Sequence, residues 1–94
     1  ALAPLLEDAR RRLTARIVND VRQQGGKALR QGGRAGLGEW GETQIHEWRL
    51  AGEGMLAPVA VVAEMLRLPE LGADVGSWVT AAYQDAVRGL INGD

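Results

Sequence analysis

Apolar residues recur every three or four positions along most of this chain, a spacing that is typical of α-helices. In the first segment, residues 4–24, they form one narrow stripe that begins two positions earlier, at Leu2, and continues with Leu6, Ala9, Leu13, Ile17 and Val21. Pro4 suits the first turn because its missing N–H costs nothing there, and Gly25-Gly26 predicts the helix end. Such a narrow stripe is typical of a seam between two helices rather than of a broad core.

A second, short helix is predicted over residues 39–51. Ile45 and Trp48 lie three positions apart and share a face, with Trp40 on the flank of that face. Gly52 and Gly54 follow, and we expect the helix to end there because glycine is a poor helix former.

The remaining chain holds two more apolar segments. Residues 55–68 are the most apolar, with helical spacing at Met55, Val59, Val62 and Leu66 and with Pro58 placed for a first turn. A buried strand over residues 59–62 is the alternative, but the abundance of Ala, Met, Leu and Glu favours helix. Pro69 breaks the pattern. Residues 73–91 predict a last helix, whose apolar face holds Val75, Trp78 or Val79, Ala82, Ala86 and Leu90.

The segment between the first two helices, residues 25–38, holds six glycines and three bases and has no apolar period. This composition predicts a long flexible loop. The whole pattern predicts an all-α fold of three to four helices, with a long basic N-terminal helix, a Gly-rich loop and a compact C-terminal helical part. We expect one small domain over residues 1–94, divided into a basic helical arm (1–24), a Gly/Arg loop (25–38) and an acidic helical body (39–94).

The composition excludes several classes of protein. The 94 residues include no cysteine, so disulfide scaffolds and Cys-based metal or redox sites are excluded. No apolar run is long enough for a membrane span, and no secretory signal is visible at the first residues. The net charge of −1 hides an uneven distribution. Residues 1–34 hold eight bases against three acids, net +5, whereas residues 35–94 hold three bases against nine acids, net −6.

The chain offers little for catalysis, and we expect it not to be an enzyme. His46 is the only histidine, and Glu42 lies one helical turn before it. This pair is interpreted as a hydrated pair on a polar helix face, since a metal site needs at least one more convergent ligand. No nucleophile motif is present. Lys27 after Gly25-Gly26 lacks both the following Ser or Thr and the preceding strand of a phosphate-binding loop. We therefore expect no catalytic residue, no metal and no cofactor.

Two sets of residues remain as candidates for contact with a partner. The first set carries positive charge that can meet phosphates or an acidic protein surface, and it comprises Arg10, Arg11, Arg12, Arg16, Arg22, Lys27, Arg30 and Arg34. No aromatic residue lies among residues 1–39, which argues against base stacking in this region. The second set is Trp40, Trp48 and Trp78, interpreted either as interface anchors or as core, with Trp40 the better contact candidate.

These features favour a non-enzymatic structural or assembly protein that works through homo- or hetero-oligomeric contacts. In this hypothesis the basic N-terminal arm meets an acidic surface of a neighbour, and the partner is a second copy or a larger protein assembly. The alternative is a sequence-independent nucleic-acid-binding protein, of the packaging or architectural kind, that uses the bases of residues 10–34. The size and uneven charge resemble those of small virion or assembly components, so a cytoplasmic or a virion location fits the sequence.

Overall fold

A computed structural model describes residues 2–68 and 74–93, and 93% of these residues are helical, with no strand among them. The elements are α1 (Ala3–Asp20), a π-helical turn (Val21–Gly25), α2 (Gly26–Met65) and α3 (Val75–Asn92). The all-α prediction is therefore confirmed, and the strand alternative over residues 59–62 is wrong. The helical elements from Ala3 to Met65 follow one another without a loop and are joined across a kink at Gly33, so there are two helical stretches, this long joined one and α3, rather than three to four separate helices. The break predicted at Pro69 and the helix start predicted at residue 73 lie outside the described residues.

The long helical stretch folds back on itself at Gly33, whose φ of 66° and ψ of −159° are not helical. We call residues 3–32 the first hairpin segment and residues 34–65 the second. The two segments run antiparallel, since Asp20 hydrogen-bonds Trp48 halfway along them and Leu2 clusters with Val59 near their far ends. The extended ψ combined with a positive φ is a conformation that only glycine adopts readily. Gly33 therefore makes the turn.

The flexible loop predicted over residues 25–38 is wrong, because these residues are helical apart from Gly33. Most of their glycines lie in helix, and several of them allow close packing instead of a turn. A Cβ on Gly25 would lie 3.0 Å from the Trp40 ring, and a Cβ on Gly36 would lie 3.0 Å from the Ala28 carbonyl oxygen. Sequence patterns cannot separate a glycine that turns the chain from a glycine that brings two helices together.

The helix ends predicted at Gly52 and Gly54 are also wrong, since α2 continues through both. Gly52 is buried, and a Cβ there would lie 2.7 Å from Val75 and 2.9 Å from Leu13. Its missing side chain thus lets three helical segments meet. Pro58 lies inside α2 rather than in a first turn. The carbonyl it leaves without a helical donor belongs to Gly54, which is exposed to solvent.

Helix α3 packs along the hairpin, and this completes a three-segment bundle that is 50 Å long and 23 Å by 16 Å across. Val75 packs against Gly52. Tyr83 packs so closely against Gly41 that a Cβ on Gly41 would overlap the Tyr83 side chain. The helix therefore runs antiparallel to the second hairpin segment. The Asp74 carboxylate accepts a hydrogen bond from the Ser77 N–H at 3.0 Å and caps the helix. The main core contains Leu13, Ile17, Val21, Trp48, Val79 and Ala82.

The predicted stripe of the first segment is confirmed at Ala9, Leu13, Ile17 and Val21, all of which are buried. The π-helical turn begins at Val21 and ends at Gly25, and both of these residues face the interior. One extra residue in that turn changes the direction in which the following side chains point. Val21 and Gly25 lie four residues apart on this buried side, and Gly25 packs against Trp40.

We expect the substitution Gly33→Ala to destabilise the protein by about 1–3 kcal/mol, because alanine strains the backbone of the turn. Gly32→Ala is the matched control: Gly32 is exposed, helical and has open space where a Cβ would be. Its free energy of unfolding should stay equal or rise by up to about 1 kcal/mol. Urea unfolding followed by circular dichroism measures both, and equal stability of the two variants would contradict the assigned turn.

Candidate interaction surfaces

The centre of the molecule is an aromatic cluster around Trp48, whose side chain is completely buried. The ring of Trp40 meets it edge-on at 5.7 Å between centroids, and the ring of Tyr83 lies at the same distance on another side. Trp40 and Trp78 are half-buried and pack against the core. Of the three tryptophans, only Trp40 and Trp78 thus present any surface to a partner.

Burial of the Trp48 indole requires a partner for its N–H, and Asp20 supplies it. The indole Nε1–H donates to Asp20 Oδ2 across 2.9 Å, which joins the two hairpin segments. The same carboxylate oxygen lies 3.8 Å from Arg16 Nε, and the Asp20 side chain is only 20% exposed. A charge-assisted hydrogen bond in a partly buried place is among the stronger polar contacts in proteins. Asp20 therefore acts in folding and is not part of a free acidic surface.

All eight candidate bases are exposed, but they do not form a single face. Arg12 pairs with Asp8 at 3.2 Å, Arg16 lies near Asp20, and the Arg10 guanidinium lies 5.7 Å from the Trp78 ring centroid. The other five bases make no ion pair within the described residues, and they are Arg11, Arg22, Lys27, Arg30 and Arg34. Their spacing distributes them along the outside of the first hairpin segment and around the turn.

Exposed acids lie mainly on the second hairpin segment, at Glu39, Glu42, Glu47, Glu53 and Glu64. Arg49 is the exposed base among them. The fold thus converts the uneven charge along the sequence into a bundle with one basic and one acidic helical segment, packed side by side.

The acidic segment also carries exposed apolar residues that the sequence analysis missed. Leu50, Gly54, Ala57 and Val61 lie on one solvent-facing side of α2 at spacings of four, three and four, and we call them the α2 outer stripe. Leu50 is 49% exposed and Val61 56%. The pattern is visible in the sequence only if the helix continues through Gly52 and Gly54. If the helix ended at Gly52 and Gly54, as the sequence predicted, Leu50 would lie on a different helix from Ala57 and Val61.

A groove runs between α1 and α3 on the side of the bundle away from α2. Its floor holds Val18, Ala86, Gly89 and Leu90, and its rims hold Arg22 and Asp85. Asp85 pairs with Arg88 at 3.4 Å, so the Arg22 rim carries the uncompensated charge.

The described residues contain no group of three or more His, Cys, Asp and Glu side chains close enough to hold a metal ion. His46 and Glu42 are both exposed. Burial raises the pKa of the Tyr83 hydroxyl above its ordinary value, and the nearby Glu42 carboxylate adds to this shift. The hydroxyl is therefore protonated and neutral at physiological pH.

No protein-family model, curated protein or solved structure matches this chain. Within residues 2–68 and 74–93, no helix has the length and hydrophobicity that crossing a membrane requires.

We expect Asp20→Ala to lower the free energy of unfolding by about 1–3 kcal/mol, because the buried Trp48 indole N–H loses its acceptor. Asp20→Asn is the control: it retains an acceptor oxygen and removes only the charge, so it should cost less. Denaturant unfolding monitored by tryptophan fluorescence gives both values. Two variants that are as stable as the original chain would show that this hydrogen bond does not hold the hairpin together.

Proposed function

We propose that this protein is a non-enzymatic assembly module that associates with copies of itself. The observation that carries the proposal is the separation of exposed charge, with bases along the first hairpin segment and acids along the second. One copy thus carries both halves of a complementary pair, and the basic side of one copy matches the acidic side of the next. Complementary surfaces of this kind direct the encounter and fix the orientation of the partners.

The exposed apolar residues support this proposal. Leu50, Val61, Val62, Met65 and Leu66 are all more than a third exposed, and Met65 is 77% exposed. The first four lie on the same helical segment as the acids, and Leu66 follows at its end. Exposed apolar residues next to charged ones are typical of sites where proteins associate. Charge would then orient the contact and contribute to its free energy, and apolar burial would add to it.

Nucleic-acid binding is the second candidate function. It is favoured by the five exposed bases that make no ion pair within the described residues. Two of them, Lys27 and Arg30, precede the turn, and Arg34 follows it directly. Such a group can contact phosphates without reading the base sequence.

We expect the protein to form oligomers at about 10 mM salt and to dissociate at least in part at about 0.1 M, because the screening length falls from about 30 Å to about 10 Å. Sedimentation velocity at several protein concentrations measures the size distribution. Sucrose at matched osmolality is the control and should leave the oligomers intact. A monomer at every salt and protein concentration would overturn the assembly proposal.

The nucleic-acid candidate predicts binding to duplex DNA of unrelated sequences with similar affinity, and affinity that falls steeply with salt concentration. Fluorescence anisotropy with labelled duplexes at about 10 mM salt tests it. The variant Lys27→Glu/Arg30→Glu should abolish most of this binding, since it removes two phosphate contacts and adds two repulsive charges. The absence of an anisotropy change with the original protein would eliminate the candidate.

A further inference from the structure

The α2 outer stripe has the features of a surface that packs against another helix or groove. Its spacing of four, three and four matches the seam of packed helices. Leu50 and Val61 project at its ends, and between them Gly54 has open space where a Cβ would be. Helix α2 already buries its opposite side, through Trp48 among others, so the stripe is not needed for the fold of the single chain.

The charges beside the stripe determine which partner fits it. Glu47 lies along one side, and Glu53 and Glu64 lie along the other, all exposed. Two α2 stripes packed on each other would bring these carboxylates together, and like charges at close range are unfavourable. Arg49 lies one turn before Glu53 and lines the same pocket as that residue, beside Asp74 and Gly76, but it is remote from Glu47 and Glu64 and leaves their charges uncompensated. The stripe therefore needs a partner surface with an apolar centre and a basic border.

The groove between α1 and α3 has these properties. Small residues, Ala86 and Gly89, leave space in its floor, and Val18 and Leu90 make that floor apolar. Arg22, in the π-helical turn that follows α1, stands on one rim, and Arg11 is an exposed residue of α1 eleven positions earlier. Leu50 and Val61 of the stripe are also eleven residues apart. A helix rises 1.5 Å per residue, so both pairs span about 16 Å.

We propose that the α2 outer stripe of one copy docks into the α1–α3 groove of a second copy, with the glutamates beside the stripe facing Arg11 and Arg22. This inference rests on the proposed self-association and names its surfaces. The stripe and the groove are different surfaces on different sides of the bundle, so the contact is heterologous. Each added copy leaves one stripe and one groove unoccupied, and the contact can repeat into a ring or a filament.

The test uses one variant for each surface. Gly54→Gln fills the open space in the stripe with an uncharged side chain and favours helix over glycine, so the single chain should fold at least as well. Gly38→Gln is the matched control, because Gly38 is also an exposed glycine of α2 with open space around it, but it lies near the turn. Arg22→Glu reverses the charge at the rim of the groove. Thermal melts by circular dichroism check that all three variants fold.

Sedimentation velocity at about 10 mM salt and at protein concentrations up to about 100 μM then compares the variants, since a small interface is expected to be weak. We expect Gly54→Gln and Arg22→Glu each to weaken association at least about tenfold, whereas Gly38→Gln should stay within about twofold of the original chain. In a mixture of Gly54→Gln and Arg22→Glu, the groove is intact in the first of these variants and the stripe is intact in the second. The mixture should form dimers that do not grow further.

Three results would overturn the inference. If the original protein associates and Gly54→Gln associates equally well, the assigned surfaces are wrong, while the proposed self-association still holds. If the original protein stays monomeric under all conditions, the inference fails together with the proposed function. Failure of the mixed variants to form dimers would also overturn the pairing of stripe with groove.

Discussion

The reversal of the chain at Gly33 is the constraint on which the rest of the structure depends. Because the turn lies near the middle of residues 3–65, the two hairpin segments have almost equal length and pack along all of it. Asp20 then reaches Trp48, and Leu2 reaches Val59. A straight helix would leave each apolar stripe exposed, and the free energy of burying those stripes is what holds the hairpin closed.

The same reversal converts a property of the sequence into a property of the surface. A basic stretch followed by an acidic stretch would lie end to end along a straight helix. In the hairpin they lie side by side, and α3 packs against both. The α2 outer stripe and the α1–α3 groove thereby come to lie on different sides of one narrow bundle. A contact between such surfaces joins unlike sides of identical molecules.

The sequence predicted the parts of this fold that depend on local periodicity. The helical class, the buried stripe from Ala9 to Val21 and the apolar face of the last helix follow from a spacing of three or four residues. The glycines were misinterpreted, because their effect depends on what lies opposite them in the fold. Gly25 faces Trp40 and Gly52 faces Leu13 and Val75, contacts that join residues 15 or more positions apart. Only Gly33 has the backbone conformation of a turn among the glycines of residues 25–38.

The candidate surfaces depend on the same long-range information. The bases could be identified from composition, but the pairing of Arg12 with Asp8 and the stacking of Arg10 on Trp78 reduce the set that is free to meet a partner. The α2 outer stripe can be recognised only when it is known that the helix continues through Gly52. The groove is built from two helices that are far apart in the sequence, so no local pattern could have shown it.

The most direct test of the account is the distance between the two ends of the hairpin. The chain has no cysteine, so the exposed positions Glu7 and Glu64 can be changed to cysteine and spin-labelled specifically. Pulsed electron paramagnetic resonance should give a distance of about 10–30 Å, set by the spacing of packed helices and the length of the labels. A distance near 85 Å, as an unbroken helix of about 57 residues requires, would contradict the reversal at Gly33 and the charge separation that depends on it.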